Sequence, residues 1–188
     1  VRLRPADPPA PTLALVAAVA LHEVLCALVP GVQIKWPNDL VSSPAKAGVQ
    51  PRLRPAPEHS AWAKFAGILL ERSGDAVVIG FGANLAHHPH GLDRPVTSIA
   101  ALTGSSPAPA QVADRLASVF ANWLERWRGE GLAPVRHAWL AAAHPVGTPL
   151  STAEGEGTFD GLEETGALRL RLADDGIRLV HAGDVFLL

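Results

Sequence analysis

The sequence predicts an α+β fold, with a mixed sheet flanked by helices and a small β-barrel after it. Three observations predict it. An apolar run fills the span from Thr12 to Val29 with helical rather than alternating spacing. Two apolar strands, Lys64–Glu71 and Ala76–Leu85, flank a Ser73-Gly74-Asp75 turn. Past Pro145 and Gly147 the period changes from helical to alternating, in short segments separated by turn residues.

Taken in order, residues 1–4 (VRLR) read as the tail of a strand. A proline-rich stretch from Pro5 to Pro11 leads into the first helix, with Thr12 as its N-cap and Pro30-Gly31 as its stop. That helix is expected to be buried and amphipathic. His22 and Glu23 interrupt its apolar run, which speaks against a membrane span. Val32–Trp36 is a strand, Pro37-Asn38-Asp39 a turn, and Leu40-Val41 the start of the next strand. From Ser42 to about Ser60 prolines recur without a periodic pattern, which predicts a flexible, dispensable insertion.

After the hairpin, His87–Arg94 is a polar loop and Ser98–Leu102 one helical turn. Val112, Leu116, Val119, Phe120, Trp123, Leu124 and Trp127 recur at helical spacing, so Pro109–Arg128 is a helix closed by Gly129 and Gly131. A last helix starts near Pro134 and runs towards His144. Four strands then follow, at Thr158–Phe159, Ala167–Leu172, Ile177–His181 and Val185–Leu188. The expected division is a larger α+β portion over 1–144, carrying the 42–60 insertion, and a small β unit over 145–188.

Composition excludes several classes. The 188 residues carry 16 Lys and Arg against 18 Asp and Glu, a net charge of −2. That gives no global field for DNA. Cys26 is the single cysteine, so neither an intrachain disulfide framework nor a cysteine-rich zinc site can form. It lies in the first helical pattern and is expected to be buried and inert. No Gly-x-Ser-x-Gly elbow is present. His87, His88 and His90 read as a surface cluster and take no metal assignment. Methionine is absent, which reads as a fragment, a processed product or an alternative start.

Three stretches carry chemistry. Lys35-Trp36-Pro37-Asn38-Asp39 puts a cation, an indole, a rigid turn and a carboxylate within five residues. The lysine can neutralise phosphate, and the carboxylate can hold magnesium or orient the lysine. The same pattern also suits a turn with an Asx cap and a packed tryptophan. Lys64-Phe65-Ala66-Gly67-Ile68-Leu69-Leu70-Glu71 opens an apolar strand with a lysine. Alternation puts Lys64 and Ala66 on one face, and Gly67 lets backbone or ligand approach. That lysine could enter a pocket or snorkel to the surface. Gly80-Phe81-Gly82-Ala83-Asn84-Leu85 ends a strand with two glycines and an amide that can read a ring edge, or else marks a β-bulge.

In this order the three stretches resemble biotin–protein ligases. The likeness extends to Glu130-Gly131-Leu132-Ala133-Pro134 with Trp139. The tail, with Phe159-Asp160-Gly161-Leu162 and Ala182-Gly183-Asp184-Val185, is similar to the family's SH3-like C-terminal domain. The resemblance implies a biotin/lipoate ligase-like catalytic fold and a two-step reaction. Biotin and ATP give biotinyl-5′-adenylate, and a lysine of the biotin carboxyl carrier protein of acetyl-CoA carboxylase then takes the biotin. It implies that Lys64 meets the biotin carboxylate and α-phosphate, and that Lys35 and Asp39 lie near the phosphates, with Asp39 on Mg2+. Gly67, Gly82, Asn84, Trp36 and Asn38 join the binding set.

It further implies a cytoplasmic enzyme without DNA or membrane as partner, for which a homodimer is allowed. The family's Gly-Arg-Gly-x-x-Gly-Arg-x-Trp loop has no match in these residues. The chain alone is therefore expected to transfer biotin slowly and to leave apolar faces at Ile68, Leu70 and Val78 uncovered. Lys46, in the insertion, competes with Lys64 for the second lysine role; the apolar strand behind Lys64 favours Lys64. A lipoate ligase relative and an inactive fragment that only binds nucleotide or carrier domain are the competing readings.

Overall fold

The structure is a computed structural model that describes residues 1–42 and 62–188. Two antiparallel sheets and four helices share one apolar core. The first sheet holds β1 (Val32–Lys35), β2 (Asp39–Ser42), β3 (Ala63–Ser73) and β4 (Ala76–Ala83) in that spatial order. Its ladders are antiparallel, and parallel pairing enters through isolated bridges from Ile34 to Ala143 and from Lys64 to Val96. The opening residues lie along the far edge of β4. The Val77 amide donates to the Val1 carbonyl at 2.8 Å and the Leu3 amide to that of Asp75 at 2.7 Å.

α1 (Leu13–Leu25) differs from the expected amphipathic helix. Ten of its residues are buried, because α3 (Pro109–Glu130), α4 (Ala133–Ala142) and the first sheet cover it from several sides. A segment of Leu, Val and Ala with so few polar residues has no face to give to water. Thr12 is not its side-chain cap. Its hydroxyl donates to the Pro9 carbonyl at 2.6 Å and accepts from Trp127 Nε1 at 2.8 Å, which fastens α3 to the start of α1.

The helix also stops at Leu25 rather than running to Pro30, so Cys26 falls on an exposed turn and is not buried. The thiol is nevertheless pushed up from its ordinary range, first by partial desolvation and then by Glu23, so it is a poor nucleophile. No helix among the described residues is long and apolar enough to cross a membrane.

α2 (Ile99–Thr103) is capped by Ser98, whose hydroxyl accepts from the Ala101 amide at 3.2 Å. α3 ends on Gly131 at φ 78°, a backbone conformation that glycine adopts without steric cost. The second sheet runs β8 (Ile177–Val180), β7 (Leu168–Arg171), β6 (Gly155–Leu162), β5 (Pro149–Thr152), β9 (Val185–Leu187). β5 is not among the four strands expected after Gly147, the first of which is Thr158–Phe159.

The two sheets meet through Trp36, Trp139 and Phe159, all buried. Arg136 of α4 adds a polar tie, donating from Nε to the Leu162 carbonyl at 3.0 Å. The insertion expected over 42–60 lies outside the described residues except for Ser42. Ser42 itself is fully buried at the end of β2, paired with Val32 and Ala63.

Candidate functional site

The site begins with the turn between β1 and β2. The Trp36–Pro37 peptide bond is cis, and Lys35 pairs with Asp39 across the hairpin. Lys35 Nζ lies 3.3 Å from Asp39 Oδ2. Lys64 Nζ, from β3, contacts the other oxygen, Asp39 Oδ1. One carboxylate is thus shared by two ammonium groups. Their side chains are 19% (Lys35), 30% (Lys64) and 11% (Asp39) exposed, so the cluster is shielded but open on one side.

A register irregularity brings Lys64 there. Asp39 pairs with Gly67 and Leu40 with Ala66, but Val41 pairs with Lys64, leaving Phe65 as an extra residue. Such a bulge shifts the alternation by one. Phe65 and Ala66 are consequently both buried, and Lys64 lies beside Gly67 instead of sharing a face with Ala66 as strict alternation predicts. Gly67 leaves the space the pair occupies. A Cβ there would lie 3.0 Å from Lys64 Cε and Nζ and 3.2 Å from Asp39 Oδ1.

From this cluster a strip of main chain runs along the open face of β3 and β4. Gly67 pairs with Gly82, and Leu69 with Gly80. The uncovered apolar side chains on this face are Leu69 (62% exposed) and Val78 (65%). Ile68, expected among them, points the other way into the core, and Leu70 is partly buried against it.

The remaining expected residues hold the frame. Asn38 Nδ2 donates to the Ile68 carbonyl at 2.6 Å, locking the turn to β3. Trp36 is buried, and its Nε1 donates to the Gly166 carbonyl of the second sheet's β6–β7 loop at 3.3 Å. The Asn84 amide nitrogen donates to the Thr97 carbonyl at 2.9 Å, leaving its second N–H and its oxygen to offer a ring edge. Of the expected set, Lys35, Asp39, Lys64 and Gly67 converge, Gly82 adjoins them, and Trp36, Asn38 and Asn84 brace the surroundings.

Beside the cluster opens a cleft of about 270 Å3. Lys35, Asp39 and Lys64 form one wall, and Asp184 and Phe186 at β9 form another. Arg94, at the end of the loop after β4, also lines it. The second sheet enters the site directly as well, because Lys35 Nζ donates to the Val185 carbonyl at 2.8 Å. None of the β9 contributions or Arg94 was identified from the sequence. The basic residue before Pro95 was a usable signal for Arg94, whereas a main-chain carbonyl 150 residues from Lys35 gives none.

Lys35 and Lys64 both face this single carboxylate, an arrangement made for an anion rather than a cation. Both Asp39 oxygens are engaged by ammonium groups, and no group of three metal-ligating side chains occurs among the described residues. The residues present do not fit a resident magnesium ion on Asp39. The His87–His90 stretch stands apart: His88 Nδ1 lies 3.2 Å from Ser98 Oγ, and its ring packs on that of His90.

Comparison with known proteins places this geometry in context. Residues 150–188 match the family described as "Biotin protein ligase C terminal domain". The chain is 36% identical over 192 aligned positions to a biotin–[acetyl-CoA-carboxylase] ligase of Paracoccus denitrificans, covering 93% of this chain and 72% of that protein. It is 27% identical to a bifunctional ligase/repressor of Bacillus subtilis, with 93% of this chain aligned but 52% of the relative, about half its length.

Among solved structures, the Aquifex aeolicus biotin protein ligase in complex with biotin and ATP superposes with a TM-score of 0.75 at 19% identity. That match covers 95% of this chain and 72% of the other. The Leishmania major biotin protein ligase in complex with biotinyl-5-AMP gives 0.54 at 21%, covering 92% and 71%. At these identities the structural matches speak for the fold.

Proposed function

This chain belongs to the biotin–protein ligase family, and from that premise we propose that it attaches biotin to a lysine of a biotin carrier protein at the expense of ATP. The Paracoccus relative's name supplies acetyl-CoA carboxylase as the acceptor. The observation that carries the reading is the Lys35–Asp39–Lys64 cluster folded around Gly67.

In the first step a biotin carboxylate oxygen attacks the α-phosphorus of ATP. The bond to the β-phosphate oxygen breaks, and pyrophosphate leaves with its electron pair. Two anions must approach each other, and negative charge builds on the α-phosphate oxygens. A fixed cation at that point lowers the barrier because it requires no reorganisation when the charge develops. Lys64 is the candidate. Its ammonium has three donors, and Asp39 takes one, leaving donors for carboxylate and phosphate. Lys35, already held by Asp39 and the Val185 carbonyl, has one donor left for a phosphate oxygen.

The Gly67–Gly82 strip lets the adenylate lie against main chain, with Asn84 at its end. In the second step the uncharged ε-amine of the carrier lysine attacks the mixed anhydride carbonyl, AMP leaves, and the amine loses its proton. Magnesium arriving with ATP would take most of its ligands from phosphates and water, and no step here depends on it.

A catalytic portion over 1–144 and a C-terminal unit over 145–188 go with this reading, as does a cytoplasmic location where ATP is supplied. The test is formation of biotinyl-5′-adenylate from labelled biotin and ATP. Lys64→Ala is expected to lower the rate by a factor on the order of 10²–10³, while Lys46→Ala, outside the described residues, leaves it unchanged. The reverse pattern would move the second lysine to Lys46.

A further inference from the structure

We propose that Arg94 is a further anion-binding residue of the cleft, engaging the phosphates that depart as pyrophosphate; this rests on the ligase reading above. The side chain lines the same cleft as Lys35, Asp39 and Lys64. It lies on an exposed loop, but the loop is not loosely attached. The Lys64 amide donates to the Pro95 carbonyl at 3.0 Å, and the Thr97 amide donates to the Lys64 carbonyl at 2.9 Å. Asn84 Nδ2 holds the Thr97 carbonyl from the other side at 2.9 Å. The backbone next to Arg94 is therefore fastened to the strand that carries Lys64.

Charge then decides what this arginine meets. The guanidinium is always ionised and presents a planar fork of donors that suits phosphate oxygens. Among the described residues Arg94 forms no ion pair, and neither Asp93 nor Asp184 closes on it. Three cations line the cleft against the carboxylates of Asp39 and Asp184, and Asp39 is already engaged by both lysines. The excess is positive, and Arg94 is the cation of the three without an acceptor among the described residues. A ligand carrying several phosphate charges completes the set. AMP, which keeps only the phosphate that stays with the adenylate, lacks those charges.

The experiment is calorimetric titration of the 188-residue chain with inorganic pyrophosphate and, separately, with AMP. The proteins are wild type, Arg94→Ala, Arg94→Lys and Arg4→Ala, the last removing a positive charge from an exposed site away from the cleft. Arg94→Ala is expected to weaken pyrophosphate binding roughly tenfold to hundredfold, as for loss of one charge-assisted hydrogen bond or a forked pair. AMP affinity should stay within about twofold, Arg94→Lys should recover part of the loss, and Arg4→Ala should resemble wild type.

Unchanged pyrophosphate affinity in Arg94→Ala, equal losses for both ligands, or no pyrophosphate binding by the wild type would overturn the proposal. Adenylate formation by the same wild-type protein separates the two ideas. If adenylate forms while Arg94→Ala binds pyrophosphate normally, the Arg94 assignment alone is wrong. If no adenylate forms while Arg94→Ala still loses pyrophosphate selectively, the ligase reading fails and the anion site stands.

Discussion

Replacing Gly67 with alanine should separate activity from stability. The new methyl carbon would lie 3.0 Å from Lys64 Cε and Nζ and 3.2 Å from Asp39 Oδ1. Such contacts are tighter than ordinary van der Waals contact, so the ammonium must retreat by a few tenths of an ångström. The backbone at Gly67 is not in the left-handed region, so alanine itself fits the strand. Removing glycine's unfolded-state freedom contributes about 0.4–1 kcal/mol of stability. The clash offsets part of this, and because Lys64 is a long, flexible side chain the net should stay within about 1 kcal/mol. For a chain of this size that shifts Tm by no more than roughly 2–4 °C.

The chemistry is less tolerant. Misplacing a reacting or stabilising group by about 1 Å costs on the order of 10²-fold in rate, so a shift of a few tenths of that should cost roughly threefold to tenfold. The assay pairs thermal unfolding with biotinyl-5′-adenylate formation on one protein preparation. An adenylate rate within about twofold of wild type would refute the idea that the space at Gly67 sets the lysine's position. So would a collapse of Tm, which would make Gly67 a requirement of folding instead.

Other consequences can be checked alongside. Asp39→Asn leaves two ammonium groups facing each other without their shared counter-charge. It should cost about 1–3 kcal/mol by chemical denaturation, the lower end if solvent reaches Lys64. Thr12→Val removes the acceptor of the buried Trp127 indole N–H and should destabilise by about 1–3 kcal/mol; no change would mean water replaces the hydroxyl.

His22 has its pKa lowered from 6.5, first by desolvation, with the Val32 carbonyl and Glu23 opposing. The unfolded state therefore takes up a proton at higher pH than the folded state does. The stability contribution is complete above pH 6.5 and is lost as pH falls towards and through the lowered value. Melting temperatures measured across mildly acidic pH should show a decline that His22→Gln flattens. Cys26 should alkylate at neutral pH more slowly than a free thiol despite its exposure, with the rate rising only at higher pH.

Much of the first sheet was legible because its strands are bounded by strong punctuation. Pro30-Gly31 precedes β1, Pro37-Asn38 separates β1 from β2, and Gly74 turns β3 into β4. The Lys35–Asp39 pair was legible as well, since both residues flank one tight turn. The position of Lys64 was not. Period-two alternation gives it the face of Ala66, and only the pairing of β2 with β3 reveals Phe65 as the extra residue. A bulge is a relation between two strands, and neither strand's sequence contains it.

Long-range ties were hidden for a similar reason. The Trp36 indole bonds to Gly166 and the Lys35 ammonium to Val185, both through main-chain carbonyls that no residue type advertises. The burial of α1 on nearly all sides follows from a composition of Leu, Val and Ala without a continuous polar stripe. Cys26 was misjudged because a helix projected to Pro30 ends a turn earlier.

The measurement that tests the central claim most directly is transfer of labelled biotin to a biotin carrier domain by the 188-residue chain. It would be run with and without ATP and repeated with Lys64→Ala. The account predicts incorporation at the carrier lysine that requires ATP. Lys64→Ala should lower the rate by about 10²-fold or more. Incorporation no greater than in the ATP-free control, or incorporation that Lys64→Ala leaves unchanged, would contradict it.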